Sequence, residues 1–375
     1  MDSPESPFLE GFAYNLIKIK QMRIFHCDAC GELVYFENTS CLNCGTALAY
    51  LPDVAEVRAL NPANEEKWQS TGGAHYRLCQ NYSAHDFCNW AVPADDSNPY
   101  CISCRLTRVI PDLSVDGNKM AWARFEAAKR RLNYSLLGFG LPVTSKAEDP
   151  QNGVIYEFLA DMPDQPVLTG HEFGVITINI AEADDAERER RRLQLHEPYR
   201  TILGHFRHEI GHYYWDRFFV TEDGLAAFRN VFGDEQQDYA EALKRHYETG
   251  APSGWQVNFI STYATAHPWE DWAETWAHYL HMADALETAA AVGVSLKPPR
   301  ENEPSLMLSI QEVARFETMI ESWFSLTYML NNLNRGLGLP DGYPFVLSDA
   351  VVEKLKFVHD TVAQAGVAQQ TTVSP

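Results

Sequence analysis

All eight cysteines of this 375-residue chain fall between positions 27 and 104, and none follows. The first four read Cys27-x-x-Cys30, then ten residues, then Cys41-x-x-Cys44. Two residues between thiols let one tight turn aim both sulfurs at the same ion, and Gly31 and Gly45, directly after each pair, relieve that turn. Two such turns complete a tetrahedron, so residues 23–50 are predicted to form a zinc ribbon on Cys27, Cys30, Cys41 and Cys44. The second four, Cys79, Cys88, Cys101 and Cys104, contain one tight pair and predict a second structural zinc within 51–117, with His85 competing for the place of Cys79 or Cys88. Modules this small bury little apolar surface, and metal binding supplies the missing folding free energy.

The first residues, MDSPESPFLEGFAYNLIKIK, start acidic and lack the basic segment, apolar run and small-residue cleavage site of a secretion signal. They read as an extension over 1–22, and the chain is expected to be cytoplasmic, where cysteines bind metal rather than pair. The balance of 30 Lys and Arg against 51 Asp and Glu, net −21, repels phosphate backbones and argues against a nucleic-acid partner. The densest basic stretch, Arg188 with Arg190, Arg191 and Arg192, is interleaved with Glu182, Asp184, Asp185, Glu187 and Glu189, as on a solvated helix face. No run approaches the roughly 18 apolar residues of a spanning helix, so no membrane partner is expected.

Beyond residue 117 the patterns lengthen into one domain, 118–365. Helical spacing covers 119–136, 198–219, 269–288, 305–335 and 348–364, with Pro198 and Pro268 tolerated in first turns and Ser348 able to cap the last helix. Residues 154–159 and 173–180 read as strands, the second with Ile176, Ile178 and Ile180 on one face and an edge able to align a peptide. Residues 366–375 read as a frayed tail. The fold class is α+β: a small mixed sheet with active-site helices beside it.

The chemistry is concentrated in His208-Glu209-Ile210-Gly211-His212. On a helix the two histidines lie one turn apart on one face, where both imidazoles can hold one zinc, and Glu209 stands beside the metal's water. Chance produces such a triplet roughly 0.04 times in a chain of this histidine and glutamate content. Leu203, Phe206, Ile210 and Tyr214 form an apolar stripe that makes the helix real. A catalytic zinc needs three protein ligands and one open position. Glu270 and Glu274, four apart on the next strong helix, are candidates for the third ligand and for a carboxylate that accepts a ligand histidine's N–H; spacing alone does not order them. His205, Asp216, His278 and His281 lie near the same faces.

HEIGH followed by YATAHPWEDWAE resembles the pattern of gluzincin peptidases of the anthrax lethal factor type. The resemblance implies that Glu270 is the ligand, Glu274 the supporting acid, and Tyr263, seven residues before the ligand, the donor to the oxyanion. The segments FHCDACG, CLNCG, CNWAVPADD, CISCRLTRVIPDLS, GHFRHEIGHYYWDR and HPWEDWAETWAHYLH are similar to a bacterial family of zinc-binding metallopeptidases with an N-terminal zinc ribbon, over nearly the whole chain except the stretch before Met22. That family implies a zincin fold and action on peptide or protein substrates.

The expected reaction is amide hydrolysis with one catalytic and two structural zinc ions, in which Glu209 takes the proton of the zinc-bound water and passes it to the leaving amine. The rival reading is a non-enzymatic adaptor that binds a protein partner through its cysteine modules. In that case the His208 site is structural and has a fourth protein ligand, such as Asp216.

Overall fold

A computed structural model describes residues 24–64, 66–162, 166–194, 201–300, 302–308 and 315–372. The expected extension over 1–22 and Pro198 lie outside the described residues.

The hairpin β1 (Phe25–His26) and β2 (Leu33–Val34) carries the first cysteine turn, in which Gly31 N donates to Cys27 O at 2.7 Å. Gly31 and Gly45 adopt φ of +79° and +73°, the left-handed conformation that the turns demand. A five-stranded antiparallel sheet follows in sequential order: β3 (Ala47–Leu51), β4 (Glu56–Pro62), β5 (Trp68–Ser70), β6 (His75–Leu78) and, after the short helix α1 (Gln80–His85), β7 (Ala91–Pro93). Tyr50 N donates to Asn89 O at 2.7 Å, which draws β3 against the start of β7.

A second sheet has the order β10-β11-β9-β8, built from β8 (Thr107–Val109), β9 (Ile155–Leu159), β10 (Gly170–Glu172) and β11 (Val175–Asn179). β9 runs parallel to β8 and β11, and β10 antiparallel to β11. The sheet is therefore mixed, as expected of an α+β chain. Ile176, Ile178 and Ile180 are all buried. The strand expected over 173–180 is shorter, because Phe173 and Gly174 turn the hairpin at φ of +46° and +78° and Ile180 opens a 3-10 turn. β11 is paired on both sides, so the edges of this sheet belong to β10 and β8, β10 being the one beside α4, and not to the strand the sequence pattern suggests.

The long helix α2 (Asn118–Gly138) joins the two halves. Its Tyr134 interlocks with Phe36 and Tyr50 at ring separations of 5.1 and 5.4 Å, and Tyr50 packs on Trp90 at 4.7 Å. The remaining helices among the described residues are α3 (Asp185–Gln194), α4 (Ile202–Phe218), α5 (Glu222–Phe232), α6 (Tyr239–Thr249), α7 (Pro268–Ala291), α8 (Phe316–Gly336) and α9 (Asp349–Thr372), with a small ladder of β12 (Ser295–Leu296) and β13 (Leu306–Met307) before α8. On α3 Arg190 pairs with Glu187 at 2.8 Å and Arg188 with Asp185, the mixed-charge face anticipated.

Local chemistry sets the boundaries. Thr201 Oγ1 accepts from Gly204 N at 2.9 Å and caps α4 at Ile202. Pro268 occupies the first turn of α7 and Ser348 Oγ accepts from Val351 N at 3.3 Å, both as expected. α5 and α6 were not anticipated, although Thr221 and Asp238 cap them. The helix expected from 305 begins at Phe316, since Leu306–Met307 pairs as a strand. In place of a tail frayed from 366, α9 continues to Thr372, and a Cβ on Gly366 would fall 2.6 Å from Phe139 O, a crossing that only glycine permits. Among the described residues no helix is long and apolar enough to cross a membrane.

The packing that builds the site is that of α4 on α7. A Cβ added to Gly211 would meet Trp276 Cδ1 at 3.0 Å and Ala273 Cα at 3.2 Å, and Trp272 Nε1 donates to Gly211 O at 2.9 Å. The glycine inside HEIGH thus lets the two helices approach closely enough to set Glu270 opposite the histidines.

Candidate metal centre and cleft

The eight thiols gather in two groups of four, Cys27, Cys30, Cys41, Cys44 and Cys79, Cys88, Cys101, Cys104. Sulfurs in the first stand 3.7 Å (Cys27 to Cys44) and 3.6 Å (Cys30 to Cys41) apart; in the second Cys88 stands 3.8 Å from Cys101 and 3.7 Å from Cys104. Disulfides would be near 2 Å. Tetrahedral zinc with bonds of about 2.3 Å spaces sulfurs about 3.8 Å apart, which fits. His85 does not join the second group; it packs against Phe87 and Trp122.

The third group is His208, His212 and Glu270. The two Nε2 atoms are 3.2 Å apart, and Glu270 Oε2 lies 3.0 Å from that of His208 and 3.5 Å from that of His212. A tetrahedral ion with bonds near 2.05 Å needs its ligand atoms about 3.3 Å apart. Glu270 is 1% exposed, and its Oε2 faces both rings without forming a hydrogen bond, an arrangement a cation resolves. The residues present therefore fit zinc. Among the described residues no fourth His, Cys, Asp or Glu atom joins them.

Two of the three, His208 and Glu270, are held from behind. His208 Nδ1 donates to Glu274 Oε1 at 2.7 Å, which fixes the tautomer with the Nε2 lone pair turned inward, and Ser261 Oγ donates to Glu274 Oε2 at 2.6 Å. Tyr239 Oη donates to Glu270 Oε1 at 2.6 Å. Burial alone would raise the carboxyl of Glu270, but His212 and His208 hold it well below the usual range.

Glu209 is 4% exposed and faces His205 Nε2 through Oε1 at 3.1 Å. His205 Nδ1 lies 2.7 Å from Glu182 Oε2. Burial opposes the charge on His205, yet Glu182 and Glu209 raise it to about 9. Tyr263 packs its ring on His208 at 5.8 Å and on His246 at 5.9 Å, and burial, then Glu270, push its hydroxyl well up, so that it stays a donor.

Two cavities flank the centre and share His208, Glu209 and Tyr263. One, of about 340 Å³, runs along α7 past His278 and His281 to Tyr343 and Phe345. The other, of about 440 Å³, is walled by β10, Asp216, Trp215 and Tyr239. His278 Nδ1 meets Tyr343 Oη at 2.9 Å, so this ring lines the cleft rather than the metal. Asp216 approaches His171 at 4.0 Å and is not among the atoms gathered at His208, His212 and Glu270.

Sequence reasoning missed Tyr239, Glu182 and the edge strand β10. No local pattern marks Tyr239, which sits 31 residues from Glu270.

Residues 118–361 match the family model described as "Putative zinc-binding metallo-peptidase", and residues 24–115 match a zinc-ribbon domain. The chain belongs to this family of zinc-binding metallopeptidases. Uncharacterized proteins of Mycobacterium tuberculosis and Mycobacterium bovis are 44% identical to it over 342 residues, covering 91% of this chain and 95% of theirs. No solved structure matches it. The metallopeptidase model spans three strands of the mixed sheet, β9 to β11, with α4 and α7, and the zinc-ribbon model spans both cysteine groups and β8.

Proposed function

We propose that the chain is a zinc-dependent peptidase of gluzincin type on a zincin-like domain, 118–365, that hydrolyses peptide bonds. One observation carries this reading: three ligand atoms at the spacing zinc requires, with no fourth protein ligand among the described residues, opening onto two cavities. His208, His212 and Glu270 hold the metal, and Glu274 holds His208.

Zinc, when bound, supplies Lewis acidity that polarises the scissile carbonyl and brings the pKa of a water towards about 7. Glu209 takes the proton of the attacking water as the carbon–oxygen bond forms, and hands it to the amide nitrogen as the carbon–nitrogen bond breaks. Tyr263 donates from Oη to the carbonyl oxygen as that atom gains charge. The open edge of β10 aligns an extended stretch of substrate by backbone hydrogen bonds.

Two further zinc ions, one in each four-cysteine group, stabilise the modules 23–50 and 51–117 and offer no open position for chemistry. Eight thiols held in fours suit a reducing compartment, the cytoplasm. The adaptor reading requires a fourth protein ligand at His208, and Asp216 does not supply one.

Elemental analysis together with a zinc-bound crystal structure tests the proposal. Three zinc ions per chain and an open position at the His208 site are expected. A fourth protein ligand there, or disulfides with one zinc or fewer, would overturn it.

A further inference from the structure

Glu182 sits in the 3-10 turn Ile180–Ala183 that leaves β11, 3% exposed. Its Oε1 accepts from Thr169 Oγ1 at 2.6 Å, and Thr169 Oγ1 in turn accepts from Asn179 N at 3.0 Å. Its Oε2 faces His205 Nδ1 at 2.7 Å, and His205 Nε2 faces Glu209 Oε1 at 3.1 Å. One unbroken chain of polar contacts thus runs from the sheet, through a histidine on α4, to the carboxylate of HEIGH.

A buried carboxylate and imidazole contribute little to folding that an apolar pair of similar shape would not. The helix alone would place His205 one turn from Glu209, but it would leave the ring free to rotate. Glu182 removes that freedom. With a carboxylate oxygen at each ring nitrogen, His205 can only donate at both ends. Glu209 Oε1 is then occupied, and Oε2 has no partner among the described residues.

We propose that His205 and Glu182 are positioning residues for Glu209: they clamp Oε1 so that Oε2 is presented to the reacting water. This rests on the reading of Glu209 as the base. Displacement of a catalytic group by about 1 Å costs on the order of 10²-fold in rate, so the clamp acts on kcat rather than on substrate binding.

The test uses the zinc-loaded full chain and acetohydroxamic acid, a small zinc ligand whose hydroxyl can donate to the base, with Glu209→Gln as the reference for losing that contact. His205→Leu fills the space without a donor and should weaken hydroxamate binding about tenfold and lower kcat roughly 10- to 100-fold, with KM and zinc content little changed. His205→Gln restores a donor at the Nε2 position and should recover most of the lost binding. A leucine variant that binds hydroxamate and turns over within twofold of wild type overturns the proposal, as does a glutamine variant no better than leucine. If His205→Leu does not fold, Glu182→Gln, which keeps shape and removes charge, must weaken hydroxamate binding at least threefold; unchanged binding overturns the proposal. A wild type that cleaves no peptide while the hydroxamate series holds supports the clamp and refutes only the peptidase reading.

Discussion

Tyr239 Oη donates to Glu270 Oε1 at 2.6 Å, tying the first turn of α6 to the carboxylate that faces both histidines. One oxygen of Glu270 is thereby committed to the protein, and the other faces both histidines, where the proposed zinc would bind. Tyr239→Phe keeps the ring and deletes the donor. It should weaken the catalytic zinc about 10- to 100-fold in a chelator competition, leaving the zinc of the two four-cysteine groups in place. Glu270→Ala should lose that zinc outright, and Glu274→Ala should fall between it and wild type. A phenylalanine variant that holds zinc like wild type would show that the hydrogen bond does not support the ligand.

The same site shows what a sequence can and cannot disclose. His208 and His212 are legible because four-residue spacing on a helix is a local rule, and Glu270 and Glu274 because they share one helix face in the same way. Tyr239 and Glu182 are not legible. They reach the site only through tertiary packing, Tyr239 from the first turn of the short helix α6 and Glu182 from a charged run whose composition reads as solvated surface, although Glu182 is 3% exposed. β10 spans three residues, too few for an alternation to stand out, and Phe173, which looks like the start of a strand, is the turn that precedes one.

Gly211→Ala sets two effects of opposite sign against each other. Helix propensity favours alanine by about 1 kcal/mol, whereas overpacking a filled core costs about 1 to 3 kcal/mol. The new Cβ would meet the Ala273 backbone and the fully buried Trp276, neither of which can swing aside, so crowding should win. Thermal denaturation should show a lower Tm, and zinc should be held less tightly because α7 is pushed away. A raised Tm would mean that the helices cross less closely than described.

Acid should weaken the fold through His278 and His281. Burial, with Arg207 adding to it, lowers these rings to about 4 and about 3. The unfolded chain binds their protons from about pH 6.5 downward while the folded chain does not, so stability present above pH 6.5 is lost as pH falls towards 4. Each ring contributes a slope of up to about 1.4 kcal/mol per pH unit, less in so far as it faces the cavity. Denaturant titrations at pH 7 and pH 5 should show a smaller acid loss for His281→Gln than for wild type. Equal losses would mean that the ring is protonated in the folded chain.

On the proposed mechanism Glu209 performs proton transfer in peptide hydrolysis beside a zinc held by His208, His212 and Glu270. The most direct test is the cleavage of a mixed peptide library by the zinc-loaded chain and by Glu209→Gln, each checked for zinc content. Cleavage by the wild type and a loss of at least about 10²-fold in the variant at equal zinc are expected. A glutamine variant that cleaves as fast as the wild type would contradict this mechanism.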